Sequence, residues 1–440
     1  MDYLRERKLV WFGVRGCDSN PLRWYPNFTS CFSYISPSNS FNITDHCLER
    51  LTGKRVNLDI YDIDLDNSEA ADRLRALLCH ELDQYSVLMP YRPRRTLDAV
   101  YFPRSNHVDY LGLFQEKQAP FEHKIWVENA LRKEVRVMPW HYLTAQKSAL
   151  DAIEENLQRG PQVIRLNKSS GGTGFQILHD ANGNDFGWSW IKDSGEGYFS
   201  FADYMHPSVS LSVSACAFPR GEVSIHPFSI QIIGDPLLTT YPLGFCGSDF
   251  GRVRGLRKCH IDELEDMVRR VGKWLTNSGY IGAFGVDALI WRGELYLTEV
   301  NPRFLGSSAL SAEIDEELGL SDIFMAHMGA FLGLSPPDRP PLNKLYREQP
   351  DRAQIICHNT LPWAKFFDLS NGAALGENMR VRVTPDKVVI LEPGATICRI
   401  VVDDVVSRED GKLNGRYRTK ISRFLESICV EKKEYGVNDA

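Results

Sequence analysis

The run from Gly282 to Arg303, Gly-Ala-Phe-Gly-Val-Asp-Ala-Leu-Ile-Trp-Arg-Gly-Glu-Leu-Tyr-Leu-Thr-Glu-Val-Asn-Pro-Arg, limits what this chain can fold into more than any other stretch. It reads as two short strands, 283–291 and 294–300, with Arg292-Gly293 at the turn and Gly where a positive φ is needed. Asp287, Glu299 and Asn301 are set into this apolar ladder. Glu299 and Asn301 are two apart and so share one face of a strand; Arg303 follows. Carboxylates in an apolar ladder are costly unless paired or held by a metal. Two carboxylates, an amide oxygen and a cation form an all-oxygen site for a hard metal beside an anion clamp, a set that suits Mg²⁺ carrying a phosphate. The alternative is a surface hairpin whose acids face water. Register supplies a test. A regular two-residue turn sets Asp287 opposite Thr298, so a three-residue connection at 292–294 or a bulge is needed to bring Asp287 level with Glu299.

A second element lies upstream. Gln162–Leu178 reads as a strand ending at Lys168, a loop Ser169-Ser170-Gly171-Gly172-Thr173-Gly174, and another strand. Small residues let backbone N–H groups approach phosphate oxygens, with Lys168 as a point charge. The spacing is not that of a P-loop, which needs G-x-x-x-x-G-K-[ST].

Around these two hairpins the pattern alternates. Residues 8–14 read as a buried strand, 56–64 and 86–91 as further apolar segments, and 68–82 as a helix, which together make an open α/β domain. The Phe12–Gly16 stretch lacks the full dinucleotide fingerprint and reads as a tight βα turn. Helices are expected at 121–134, 145–157, 261–278 (stopped by Gly279), within 307–333 and at 416–431. A hairpin is expected at 209–218 and 222–233. The Gly-rich segment 234–259 reads as a long functional loop, with Arg252 and Arg254 as candidates to contact substrate or phosphate. The Pro-rich run 335–342 reads as a linker, followed by short β segments within 353–403.

Composition narrows the class. Of 440 residues, 43% are hydrophobic and 25% charged, as in ordinary globular proteins, and the net charge of −6 with no long basic run gives no reason to expect a nucleic-acid partner. No apolar run is long enough to span a bilayer, and the charged start Met-Asp-Tyr-Leu-Arg-Glu lacks the apolar core of a signal peptide. Ten scattered cysteines without a C-x-x-C pair suggest reduced thiols, hence a cytoplasmic location.

Taken in order, Lys168-Ser-Ser-Gly-Gly-Thr-Gly174, Gly279-Tyr-Ile-Gly-Ala-Phe-Gly-Val-Asp287 and Glu299-Val-Asn-Pro-Arg303 resemble the ATP-grasp superfamily over roughly residues 121–310. The resemblance implies a fold class of α/β and α+β: an N-terminal open α/β domain (1–115), an ATP-grasp lid subdomain with the Gly-rich loop (116–205), a metal-binding subdomain (206–335) and a small β-rich C-terminal domain (336–440). It also implies ATP and Mg²⁺, two ions by family habit, as cofactors. Carried over residue by residue, Lys168 and Lys124 match the nucleotide lysines, with Ser170, Gly171, Gly172, Thr173 and Gly174 cradling phosphate. Asp203, Tyr204 and Met205 match the adenine hinge, although the usual glutamate is absent. Asp287, Glu299 and Asn301 match the metal ligands, and Arg303 the residue that steadies an acyl phosphate.

In such enzymes a carboxylate takes the γ-phosphoryl group of ATP and an amine then displaces phosphate, so the protein supplies position and charge rather than a covalent nucleophile. The Asn-Pro-Arg-Phe-Leu-Gly-Ser-Ser run resembles carboxylate–amine ligases that join amino acids or peptides, and the run that follows the arginine in biotin carboxylases is missing. The expected partners are a small carboxylic acid or amino acid plus an amine, amino acid or peptide acceptor, with room for a homodimer. A small-molecule kinase on the same fold and a non-catalytic nucleotide-binding module are the alternatives.

Overall fold

The structure, a computed structural model, describes residues 6–35, 43–53, 66–101, 108–146, 149–179, 184–369, 375–382 and 389–430. The expected apolar segment at 56–64 lies outside them.

The N-terminal part is a five-stranded parallel sheet in the order Thr44–Cys47, Phe28–Ile35, Lys8–Arg15, Ser86–Pro90, Asp109–Tyr110. Its central strand, Lys-Leu-Val-Trp-Phe-Gly-Val-Arg, is an almost continuous apolar run, as a parallel strand covered on both faces requires. The helix Glu69–Glu81 starts where Ser68 accepts from the Ala71 amide and buries Ala71, Leu74 and Leu78. The strands Phe28–Ile35 and Thr44–Cys47 were not expected from the sequence. The tight βα turn expected after the first strand is instead a 3₁₀ segment, Gly16–Trp24, with seven of its residues buried. Trp11 packs against Tyr91, Phe304 and Phe324, so this sheet shares one core with the segment following the acidic hairpin.

Next comes a four-stranded antiparallel sheet in the order His141–Thr144, Tyr198–Asp203, Gln162–Leu166, Phe175–Leu178. Period-two alternation divides its side chains. Ile164 and Phe201 pack with Ile153 and Ile191 of the covering helices. Val163 and Ala202 turn to the other side, toward Met138, Met205 and the Leu289, Trp291 and Tyr296 side chains of the acidic hairpin. The first helix of this unit is Lys124–Leu131, shorter than the expected 121–134, because His123 caps it by accepting from the Trp126 amide.

The largest sheet has eight strands in the order Glu294–Asn301, Gly282–Trp291, Val209–Ala217, Val223–Ile233, Phe245–Asp249, Ala353–His358, Thr396–Val402, Met379–Val381, all antiparallel. The helix Lys258–Asn277 lays its expected stripe, Leu264, Val268, Val271 and Leu275, on one face. Gly279, at φ +93°, ends it as expected: its amide reaches Thr276 O and that of Tyr280 reaches Leu275 O.

Two readings of the sequence change here. Residues 234–259 are not one long loop. Phe245–Asp249 is an inner strand of the sheet, and Gly247 sits so close to Gln354 O that a Cβ there would collide with it. Residues 353–402 supply strands to the same eight-stranded sheet as 206–335, although their own core forms around Ile355, Ile400, Tyr417, Ile421 and Phe424. A short helix, Leu342–Glu348, follows the Pro-rich run and docks on the long one through Glu265 and Asp262. All ten cysteines are free thiols. Among the described residues no helix is long and apolar enough to cross a membrane.

Candidate functional site

The acidic hairpin turns in two residues, Arg292 at φ +50° and Gly293 at φ +85°, with Trp291 opposite Glu294. Continued regularly, that ladder would set Asp287 against Thr298. A bulge intervenes: Ala288 pairs with Leu297 and Asp287 with Glu299, leaving Thr298 as the extra residue. The register problem posed by the sequence is thus solved by the second of its two expected solutions. The Thr298 carbonyl accepts from Arg165 Nη1 at 3.2 Å. Arg165 is itself fixed by a bidentate pair with Glu128, at 2.7 and 2.8 Å, and lies 4.1 Å over the Trp140 ring.

Asp287 is deeply set. Its Oδ1 accepts from Ser212 Oγ at 2.6 Å and Gln231 Nε2 at 3.2 Å, and its Oδ2 from Asn301 Nδ2 at 3.0 Å. Burial, followed by the neighbouring charge of Glu299, pushes its carboxyl up to about 7. Glu299 keeps 21% exposure and faces Lys124 Nζ at 3.3 Å. Lys124 is buried, and its ammonium also donates to Ser169 O and Oγ, both at 3.0 Å. Burial draws its pKa down, against the pull of Glu299. Asn301 Oδ1 accepts from Arg303 Nη2 at 3.0 Å, and Arg303 Nη1 donates to Phe304 O at 3.0 Å and approaches Tyr91 OH at 3.4 Å. Asp287, Glu299, Asn301, Lys124 and Arg303 therefore form one connected constellation.

The Gly-rich loop is seated against the inner strand of the large sheet. The Phe245 amide donates to Gly171 O at 2.9 Å, and a Cβ on Gly172 (φ +79°) would strike Leu243 O. Thr173 folds back on Ser170 O through its hydroxyl at 2.9 Å, and the Leu166 amide donates to Gly174 O at 3.0 Å. Lys168 is exposed at the loop's root, where its amide donates to Glu196 Oε1 at 3.2 Å. Met205 is buried in the apolar seam between the four-stranded sheet and the hairpin, whereas Asp203 is exposed and held by Gln162 Nε2 at 2.9 Å. Arg254 is bound to Gln349 O and Asp351, and Arg252 to Glu409, so these two engage other partners than the acidic cluster.

Among the described residues, no three His, Cys, Asp or Glu gather into a metal cluster. The donor set at the hairpin is instead two carboxylates and an amide, all hard oxygen donors once Asn301 turns its carbonyl from Arg303, and this chemistry fits Mg²⁺. The sequence did not reveal Ser212 and Gln231, which orient Asp287. Ser212 lies directly opposite Asp287 in the ladder between Val209–Ala217 and Gly282–Trp291, a pairing that only the fold discloses.

No family model matches the sequence, and no curated protein does. Solved structures do match. The biotin carboxylase domain dimer of the Hydrogenobacter thermophilus 2-oxoglutarate carboxylase, in complex with MgADP, ADP and bicarbonate, aligns at TM-score 0.63 and 13% identity over 91% of this chain and 87% of its own. N5-carboxyaminoimidazole synthetase from Staphylococcus aureus with ADP aligns at TM-score 0.60 and 12% identity over 95% and 97%. A biotin carboxylase–beta-gamma-ATP complex from Campylobacter jejuni gives TM-score 0.60 and 14% identity over 91% and 88%. At this low identity, these nearly full-length superpositions show that the chain shares the ATP-grasp fold of these structures.

Proposed function

We propose that this protein is an ATP- and Mg²⁺-dependent ligase that joins a small carboxylic acid or amino acid to an amine, amino acid or peptide through an acyl phosphate, releasing ADP and phosphate. The observation that carries this reading is the bulge that sets Asp287 level with Glu299, beside Asn301, Lys124 and Arg303. Asp287, Glu299 and Asn301 would hold the metal, which supplies positive charge against the triphosphate oxygens. Lys124 and Lys168 would pair with phosphate oxygens, and the amides of Ser170–Gly174 would cover them and exclude water from the intermediate. The apolar seam around Met205, with Val163, Ala202 and Leu289, would take the adenine, read by the backbone near Asp203. Arg303 would bear on the acyl phosphate. The substrates are small molecules, met in the cytoplasm.

The test is an ADP-release screen over acids and amines, with hydroxylamine trapping and mass detection of products. A hydroxamate formed together with ADP supports the acyl phosphate, whereas a stable phospho-product indicates a kinase instead. Glu299→Gln removes a metal-facing charge at constant volume and should lower turnover about 1,000-fold, ~4 kcal/mol in barrier, while leaving the fold intact. Near-normal activity in that variant would overturn the metal assignment. A second reading, in which the acid is bicarbonate, draws support from the superposed structures, one of which holds bicarbonate; incorporation of labelled bicarbonate distinguishes it.

A further inference from the structure

The central strand of the parallel sheet ends at Arg15, and its neighbour Ser86–Pro90 runs directly into Tyr91. In the order given above, this is where the strand sequence reverses, and ligands of open α/β sheets bind in the crevice outside the strand ends at such a point. Arg399, from the strand Thr396–Val402 of the other sheet, enters the same place. Its Nη1 donates to Asp18 Oδ1 at 2.9 Å and to Gly306 O at 3.2 Å. Arg15 Nη1 lies 3.9 Å from Asp18 Oδ2. Tyr91, whose hydroxyl Arg303 approaches, has Asp18, Arg15 and Arg399 as its other charged neighbours.

Charge and hydrogen bonding are both left over. Arg382, the next arginine in this neighbourhood, is bidentate with Glu313, and among the described residues Asp18 is the carboxylate that pairs with both Arg15 and Arg399. His358 contributes no charge, because burial brings it down to about 4 while its Nδ1 bonds to Leu238 O. Among the described residues, Arg15 Nε, Arg399 Nε and Asp18 Oδ2 are buried without a hydrogen-bond partner. Arg399 is only 3% exposed, and a guanidinium N–H sealed without an acceptor is costly, so an arrangement serving stability alone would satisfy it. Arg15, by contrast, keeps 24% exposure, so solvent reaches its side of the cluster.

We propose that Arg15 and Arg399, oriented by Asp18, form an anion subsite that holds a carboxylate or phosphate of the substrate at the end remote from Arg303. The inference rests on the ligase reading for what happens at Arg303, but anion binding at Arg15 can be measured without turnover. The acid or the amine joined by this protein then carries a second anionic group, and planar two-point recognition by guanidinium selects it.

Calorimetric titration of the whole protein, without nucleotide, with inorganic phosphate and with glutarate tests this. The expected result is binding of at least one of the two that weakens tenfold or more in Arg15→Met and is partly kept in Arg15→Lys. Arg15 is partly exposed, so these variants fold, which circular dichroism verifies. The stronger of the two probes tells a phosphate group from a carboxylate. In the ADP-release screen, accepted substrates with a second anion should show KM raised tenfold or more in Arg15→Met, with a smaller change in kcat. Equal affinity of wild type and Arg15→Met for both probes, or no binding of either by wild type, overturns the subsite. Arg15-dependent binding with no ADP release from any acid–amine pair supports the subsite and removes the ligase reading.

Discussion

Replacing Glu128 by Gln isolates the contact that ties the four-stranded sheet to the hairpin bulge. Arg165 is 0% and Glu128 1% exposed, so the substitution leaves a guanidinium charge sealed against Ser200 Oγ and Thr298 O with its carboxylate gone. Removing one member of such a pair costs about 3–5 kcal/mol. Arg165→Met should cost a similar amount, because it strands Glu128 with only the Tyr142 hydroxyl among its described hydrogen-bond donors and also forfeits the stacking on Trp140, worth about 1–2 kcal/mol when desolvated. The double variant Glu128→Leu/Arg165→Met removes both charges of this pair and should lie within about 2 kcal/mol of wild type, a smaller loss than either single change. Amide hydrogen exchange of Gln162–Leu166 and Tyr198–Asp203, the strands that carry Arg165 and Ser200, reads local opening free energies directly. If Glu128→Gln alone leaves those amides protected to within about 1 kcal/mol of wild type, the pair does not hold the two units together. Substrate-dependent turnover should fall in Arg165→Met, because Thr298 then loses the donor that fixes the bulge and, through it, the level of Glu299.

Two other perturbations have definite outcomes. His327 accepts from the Ala283 amide at Nδ1 (2.9 Å) and donates from Nε2 to Leu111 O (2.9 Å), and burial lowers its pKa to about 4, so the folded protein excludes a proton that the unfolded chain takes up below about 6.5. Stability from this group is therefore full above pH 6.5 and is lost as pH falls toward 4, by about 3 kcal/mol; urea unfolding across that range should show a slope one proton smaller in His327→Gln. Gly172→Ala introduces a Cβ at positive φ against Leu243 O, and the Gly-rich loop should lose its seat; a rise in KM for ATP with a smaller change in kcat is expected, and unchanged kinetics would show that the loop's position is irrelevant to nucleotide binding.

What was legible in the sequence was what physics makes locally conspicuous. Carboxylates in an apolar ladder announced the hairpin, and turn arithmetic called for either a three-residue connection or a bulge, between which the structure decides. Helix Lys258–Asn277 was visible because its apolar stripe and its terminal glycine agree. The strand Phe245–Asp249 was missed because Phe-Cys-Gly-Ser-Asp carries little β propensity; it is a strand because two neighbours pair with it, and Gly247 is needed for the close approach to Gln354. The strands Phe28–Ile35 and Thr44–Cys47 are held likewise by parallel pairing. Arg15, Asp18 and Arg399 could not be grouped from spacing, since a residue near the C-terminus meets two near the N-terminus only after both sheets have formed.

Phe245–Asp249 has a consequence for how such a chain could be cut or recombined. Its far side is covered by Ala353–His358, so a break in the Pro-rich run at 335–342, which looks like a natural seam, would strip a partner from an inner strand and present its bare amides and carbonyls to the next molecule. The tail is thus no detachable appendage. A fragment ending there should clump rather than stay in solution, and a hybrid with a foreign tail needs a replacement strand of matching register.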